Sequence, residues 1–211
     1  MIKTFNKIYW RIRRKFYRNK LINRTPEISI KRNDILEISR KFPDTRILIE
    51  TGTFLGDTIA FFKSNFTKLY SIELSEELAN KAKKRFESNT NVSIVHGNSS
   101  VQLPNILREI NESCIFWLDG HYSSEFWIGK AFIQTAKGEK DTPIWEELVE
   151  IINHKIKNHI ILIDDARLFN GENDYPRIKK IKVLISKHLP LHTFEVKNDI
   201  IRILPKGNLG E

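Results

Sequence analysis

The chain has 211 residues, of which 40% are hydrophobic, and a formal net charge of +9. This length and composition suit one globular domain with a sizeable core and exclude a disordered chain. The single cysteine, Cys114, excludes a disulfide framework and a thiolate zinc site, and no apolar run approaches the length of a membrane span, so we expect a cytoplasmic protein.

The positive charge is concentrated at the N-terminus. Residues 1–24 hold nine lysines and arginines and no acidic residue, whereas the other 26 basic residues equal the 26 acidic residues in number. At helical spacing this segment forms a basic amphipathic helix. Its apolar face carries Ile2, Phe5, Tyr9, Ile12 and Phe16, and its basic face carries Lys3, Lys7, Arg11, Arg14 and Arg18.

Two interpretations of this helix remain open. It can lie on an anionic membrane surface, which would hold the protein at the inner face of the membrane. Alternatively, its apolar face packs on its own domain or on a second subunit of a homo-oligomer. In either case we divide the chain into an appendage, residues 1–24, and a domain, residues 25–211.

The rest of the chain alternates between apolar runs and helical patterns. Strands are expected at 46–50, 68–73, 92–95, 114–118, 159–163, 192–197 and 199–204, and helices at 31–41, 56–64, 75–88, 100–110, 143–155 and 176–188. This spacing predicts an α/β fold with a doubly wound, mostly parallel, seven-stranded Rossmann-like sheet. The last two strands are too close for a crossover, so they form an antiparallel hairpin. Segment 119–142 has no regular pattern, and residues 122–142 within it are long enough to be a substrate lid.

The first strand of this series ends in a glycine-containing turn. Glu50 is followed by Gly52 and Gly56, and Glu73 ends the second strand, 23 residues after Glu50. A glycine-rich strand–loop–helix unit, followed by a carboxylate that can take both ribose hydroxyls, is typical of nucleotide-binding α/β folds. Glu50 would repel the pyrophosphate of a dinucleotide but attract a sulfonium and an ammonium. The pattern therefore favours S-adenosylmethionine over NAD.

Three more carboxylates follow the neighbouring fourth and fifth strands: Asp119, Asp164 and Asp165. Carboxylates about 5 Å apart repel each other by roughly 3 kcal/mol per pair at an effective dielectric constant of 20. A divalent cation between them removes this repulsion, and all-oxygen ligands suit Mg²⁺, Ca²⁺ or Mn²⁺. The alternative is that Asp165 caps a helix or turn while Asp164 contacts the backbone.

These motifs resemble those of known enzymes. The turn from Glu50 to Gly56, with Glu73, resembles the class I S-adenosylmethionine-dependent methyltransferases. Leu118-Asp119-Gly120-His121 and Ile163-Asp164-Asp165 are similar to the metal-dependent sugar O-methyltransferases of the macrocin O-methyltransferase type. The resemblance covers residues 45–205. It implies methyl transfer to a sugar hydroxyl of a glycan or glycoconjugate, with Mg²⁺ on the three aspartates holding two adjacent substrate oxygens.

The expected cofactor contacts lie at the strand tips and in the loops after them. They are Glu50, Gly52, Thr53, Gly56, Asp57, Thr58, Glu73, Asn98, Ser99 and Asp119. Many relatives place an aspartate after the third strand for the adenine amino group, and the side-chain oxygen of Asn98 can accept the same hydrogen bond.

The expected base is His121 or Asp119. An imidazole titrates in the range that a general base requires, and Asp119 lies at the strand tip itself. Alternatively, His121 only holds a neighbouring side chain or the substrate.

Two other functions have to be weighed. The basic N-terminus would suit an RNA methyltransferase, but the neutral body and the acidic strand tips argue against a nucleic-acid partner. A non-catalytic, membrane-associated scaffold with the same fold is the other alternative, although it would have no need of intact cofactor and metal residues. We therefore expect a small-molecule or glycan acceptor.

Overall fold

The structure, a computed structural model, describes residues 26–121, 125–128, 131–134, 138 and 140–208. The helix predicted in residues 1–24 lies outside the described residues. None of the helices in the described part of the chain combines the length and apolarity that crossing a bilayer requires.

Alternating strands and helices form one central sheet. The helices are α1 (Ile28–Lys41), α2 (Asp57–Phe62), α3 (Glu76–Arg85), α4 (Ser99–Glu109), α5 (Ile144–Asn153) and α6 (Ile178–His188). The sheet strands are β1 (Ile47–Thr51), β2 (Lys68–Glu73), β3 (Val92–His96), β4 (Cys114–Leu118), β7 (Ile160–Ile163), β8 (His192–Lys197) and β9 (Ile200–Pro205). Short 3₁₀ turns at Ala166–Leu168 and Lys206–Asn208 follow β7 and β9.

The strands lie in the order β3-β2-β1-β4-β7-β9-β8. The first five are parallel to one another, and β9 runs antiparallel to both β7 and β8. Asn198 and Asp199 form the two-residue turn between β8 and β9 with φ of 52° and 62°, the left-handed conformation that such a tight hairpin needs. The predicted fold class and the C-terminal hairpin are confirmed.

Two cores cover the two faces of the sheet. On β4, Phe116 and Leu118 pack into the core beneath α4, α5 and α6, while Ile115 and Trp117 pack into the core beneath α1 and α2. Strands that are buried on both faces read as continuous apolar runs, as the sequence does here. This doubly wound arrangement leaves the carboxyl ends of the strands as the edge where a ligand can reach polar groups.

Segment 119–142 differs from the irregular structure that the sequence predicts. It contains a separate antiparallel hairpin of β5 (Glu125–Ile128) and β6 (Ala131–Gln134). After this hairpin the chain passes beside Leu74, where a Cβ on Gly138 would lie 3.6 Å from Leu74 Cδ2. Thr142 then donates a hydrogen bond to the carbonyl of Gly120 at 3.4 Å. Gly138 therefore lies near the end of β2, and Thr142 lies near the end of β4.

Candidate active site

The loop after β1 depends on two glycines. Gly52 has a φ of 88°, and a Cβ at this position would lie 2.6 Å from the carbonyl oxygen of Asp119. Gly56 has a φ of 77°, and its Cβ would lie 2.8 Å from the ring of Phe86. Both positions therefore need glycine, because an L side chain would be strained and would also collide with a neighbour. The result is a tight backbone loop whose first residue lies directly against the end of β4.

Glu73 ties this loop to the next one. One carboxylate oxygen accepts a hydrogen bond from the backbone N–H of Phe54 at 2.8 Å, and the other accepts one from Ser75 at 2.9 Å. The side chain is buried. Each oxygen still has a free lone-pair position, so the carboxylate is held in place and can accept hydroxyl groups as well.

Glu50 lies at the end of β1, where 1% of its surface is exposed. The hydroxyl of Ser71 donates to its carboxylate, and Ser71 lies 2.6 Å from the hydroxyl of Thr53. Burial, with the charges of Asp119 and Glu73, raises the pKa of Glu50 to about 8, against the opposing hydrogen bonds of Ser71 and Thr58. Among the described residues no basic side chain forms an ion pair with Glu50. A cationic ligand at this edge would stabilise its ionised form.

Three other predicted cofactor residues, Asn98, Ser99 and Asp57, have structural roles or contacts within the protein. Asn98 caps α4, and its side-chain oxygen accepts hydrogen bonds from the backbone N–H and the hydroxyl of Ser100 at 3.0 and 2.9 Å. Ser99 begins α4 and is buried. An adenine contact through the Asn98 oxygen would therefore have to replace a capping bond. Asp57 forms an ion pair with Arg85 on the surface, at 2.7 Å, and does not share the contacts of Glu50 and Glu73.

Asp119 and Asp165 meet through His121. The imidazole Nδ1 lies 3.3 Å from Asp119 Oδ1, and Nε2 lies 3.6 Å from Asp165 Oδ2. Burial alone would lower the pKa of His121, but the hydrogen bond and charge of Asp119 and the charges of Asp165 and Asp164 raise it to about 9. These contacts favour the charged imidazolium, which donates a proton and does not accept one. The choice between His121 and Asp119 as the base stays a prediction.

Asp164 makes a different contact. The ammonium of Lys31 in α1 forms a short hydrogen bond with Asp164 Oδ1 and lies 3.1 Å from Asp165 Oδ1. Arg167 donates to Asp165 Oδ1 at 2.7 Å and also bonds Asp199. The structure therefore brings the three predicted metal ligands to one edge, as expected, but two of them are already paired with basic side chains.

We tested whether these residues fit a divalent cation. Asp119, His121 and Asp165 each offer one ligand atom, and these atoms lie within 4.8 Å of one another. However, the imidazole stands between the two carboxylates with one ring nitrogen toward each, and Lys31 holds Asp164 and Asp165. In this arrangement each of the three predicted carboxylates already contacts a basic side chain, so the set does not fit a metal ion.

Sequence reasoning missed two buried charged residues beside the site, Lys31 and Glu147. Lys31 shares the buried face of α1 with Ile35 and Ile38. Glu147 shares the buried face of α5 with apolar residues and lies in the pocket at the end of β4, where its Oε1 is buried without a hydrogen-bond partner in the described part of the chain. A charged residue at an apolar position of an amphipathic helix was the signal that could have indicated both.

A small pocket lies beside Asp119. It is lined by groups from β4, β7, α5 and the loops after them: Leu118, Asp119, Gly120, His121, Thr142, Ile144, Glu147, Ile163, Asp164, Phe169 and Tyr175. Tyr175 packs edge-on against Phe169, with ring centroids 5.2 Å apart. The pocket thus combines an aromatic wall with carboxylates, next to the loop that contains Gly52.

Comparisons with known proteins agree with this architecture. No protein-family model matches the sequence, and no curated protein is significantly similar to it. Among solved structures, an O-methyltransferase from Bacillus cereus in complex with S-adenosylhomocysteine has a TM-score of 0.57 at 15% identity, covering 90% of this chain and 88% of that one.

Two further structures are similar. A putative caffeoyl-CoA O-methyltransferase from Staphylococcus aureus has a TM-score of 0.57 at 16% identity, covering 95% of this chain and 99% of that one. The O-methyltransferase TomG from Streptomyces achromogenes, in complex with S-adenosylmethionine, has a TM-score of 0.50 at 15% identity, covering 82% and 78%. The chain has the methyltransferase fold. At this level of identity the comparisons establish the fold alone.

Proposed function

We propose that the protein is an S-adenosylmethionine-dependent O-methyltransferase. The observation that carries this proposal is the arrangement of Glu50, Glu73 and the Gly52–Gly56 loop at one edge of a sheet with the methyltransferase topology. Glu73 is held by two backbone N–H groups and is available to ribose hydroxyls, and the buried Glu50 has no cationic partner among the described residues. Both features suit a ligand that combines a nucleoside with positive charge.

Asp119 lies where the acceptor would react. When bound, S-adenosylmethionine supplies an electrophilic methyl group on a positively charged sulfur. Gly52 lies against the backbone of Asp119, so the loop after β1 and Asp119 are neighbours at the carboxyl edge of the sheet. Asp119 would take the proton that the acceptor hydroxyl gives up when it receives the methyl group of a bound cofactor. The imidazolium of His121, 3.3 Å from Asp119, fixes the orientation of that carboxylate.

A sugar hydroxyl is the acceptor that we propose. Support comes from the resemblance of the Asp119 and Asp164-Asp165 motifs to sugar O-methyltransferases, and from the small pocket beside Asp119, whose lining includes carboxylates and the aromatic pair Phe169 and Tyr175. Aromatic faces stack on sugar rings, while carboxylates accept hydrogen bonds from sugar hydroxyls.

The test is a transfer assay with methyl-labelled S-adenosylmethionine and a panel of nucleotide sugars, glycosides and RNA. The proposal predicts label on a sugar oxygen, and a loss of at least 100-fold in rate for Asp119→Asn. Asp44→Asn, which changes an exposed aspartate before β1, is the matched control and should keep the wild-type rate. Label in RNA alone would support the RNA methyltransferase alternative. Cofactor binding with no transfer to any acceptor would favour the scaffold.

A further inference from the structure

Lys31 occupies an unusual position for a lysine. It belongs to α1, yet its ammonium contacts Asp164 and Asp165, more than 130 residues away in the sequence. Only 7% of the side chain is exposed. Lysine is almost never buried unless it is paired, so this contact has to be explained by the groups around it.

The contact is held by a docked helix. Besides Lys31, the carboxylate of Asp34 on the same buried face of α1 bonds Arg202 of β9 and accepts a hydrogen bond from Asn198 at 2.9 Å. Ile35 and Ile38 pack into the core beneath α1 and α2. These contacts fix α1 on one face of the sheet, and they place the ammonium of Lys31 beside Asp164 and Asp165 at the end of β7.

The charged groups linked to Asp164 and Asp165 form a connected network. The acidic groups are Asp119, Asp164, Asp165 and Asp199, and the basic groups are Lys31, His121 and Arg167. Burial lowers the pKa of Lys31, but the charges and hydrogen bonds of Asp164 and Asp165 outweigh this and raise it, which keeps the ammonium charged. Each acidic group of the network thus has a cationic partner from the protein.

We propose that Lys31 is the built-in cation of this site, standing between Asp164 and Asp165 where the sequence predicts a divalent metal. It follows that the native protein does not bind a divalent cation on these two carboxylates. Removing the ammonium would leave Asp164 without its basic partner, while Asp165 keeps Arg167 and His121. The repulsion between the two adjacent carboxylates would then favour a divalent cation such as Mg²⁺ or Mn²⁺. Lys31→Met should therefore create a metal site that the wild-type protein lacks.

Lys31 also positions Asp165. Oδ1 of that carboxylate is bound by Lys31 and Arg167, so Oδ2 is left to face His121. For the methyl transfer proposed above, on which this part of the inference depends, Lys31 orients the group that holds His121 against Asp119. Methyl transfer should then proceed at the same rate with and without excess EDTA.

The experiment is a Mn²⁺ titration of the full-length protein, in which electron paramagnetic resonance reports free Mn²⁺. Wild type and Lys41→Met, a control that removes an exposed lysine of the same helix, should bind at least tenfold more weakly than Lys31→Met. The gain should disappear in Lys31→Met/Asp164→Asn. A melting temperature that Mn²⁺ raises only in Lys31→Met would agree.

Stoichiometric Mn²⁺ binding by the wild type that is lost in Asp164→Asn would overturn the proposal, and this arm needs no lysine variant to fold. Equal affinities of wild type and a folded Lys31→Met would overturn it as well. These readouts measure the metal alone, so they separate a failure of this inference from a failure of the proposed transfer reaction. In the transfer assay, inhibition by EDTA that Mg²⁺ reverses would contradict the built-in cation, whereas absence of all transfer would count only against the proposed function.

Discussion

The buried carboxyl group of Glu50 predicts that binding of the cofactor releases a proton. In the free protein, burial and the charges of Asp119 and Glu73 raise its pKa to about 8. At pH 7 about nine in ten of these carboxyls are therefore protonated. The positive charge of bound S-adenosylmethionine favours the ionised form, so binding at pH 7 should release close to one proton per cofactor.

The size of the effect follows from the same shift. Lowering the pKa from about 8 to 6 or below corresponds to a favourable coupling of about 3 kcal/mol or more between the cofactor charge and Glu50. Proton release should be largest between pH 6 and 8 and should disappear above about pH 9, because the free carboxyl is then already ionised. Glu50→Gln cannot ionise, so it should release no proton and should bind the cofactor at least tenfold more weakly at pH 8.

The assay is isothermal titration calorimetry in buffers with different ionisation enthalpies. The apparent binding enthalpy of the wild type should depend on the buffer at pH 7, whereas that of Glu50→Gln should not. Glu112→Gln, which changes an exposed glutamate, is the matched control and should behave like the wild type. Equal heats in all buffers for the wild type, or unchanged proton release in Glu50→Gln, would refute the reasoning.

Three further predictions concern the loop, the histidine and the N-terminus. Gly52→Ala places a Cβ 2.6 Å from the carbonyl oxygen of Asp119 at a φ of 88°. Urea denaturation should therefore show that the free energy of unfolding falls by about 2 kcal/mol or more. The control Gly207→Ala, with no atom within 4 Å of the new Cβ, should leave it almost unchanged. Because the pKa of His121 is raised from 6.5 to about 9, its contribution of up to about 3 kcal/mol is complete below pH 6.5 and is lost as the pH rises to 9. Unfolding of His121→Gln should lack this pH dependence, and a profile parallel to that of the wild type would refute the ion pairs. Deleting residues 1–24 should abolish binding to anionic vesicles at low salt and leave cofactor affinity unchanged; a full-length protein that ignores such vesicles would rule out the membrane interpretation.

Much of the fold could be predicted because the strands are buried on both faces. The five parallel strands appear in the sequence as short apolar runs, and the predicted ends of the strands agree with the structure to within one residue. The helix ends were less accurate: α3 stops at Arg85 and not at residue 88, and α2 stops at Phe62 and not at residue 64. Exposed last turns carry no apolar signal that would fix where a helix ends.

The hairpin in segment 119–142 was not predicted, although a signal was present. Two runs with aromatic and β-branched residues, 125–128 and 131–134, are separated by a glycine and a lysine, and such a two-residue loop is typical of a tight hairpin. The partners of Asp164 could not be predicted, because Lys31 reaches it only through the docking of α1 on the folded sheet. Sequence spacing places the strand tips together but does not show which distant side chain comes to lie between them.

The most direct test of the cofactor site is the affinity of the purified full-length protein for S-adenosylmethionine, measured by titration calorimetry in the wild type and in Glu73→Gln. We predict saturable binding of one cofactor per chain to the wild type. Glu73→Gln should weaken it at least tenfold, because the amide has lost the charge and one of the two acceptors that meet the ribose hydroxyls. Glu76→Gln, at an exposed position of α3, should bind as tightly as the wild type. Absence of binding to the wild type, or an affinity that Glu73→Gln leaves unchanged, would contradict the cofactor assignment.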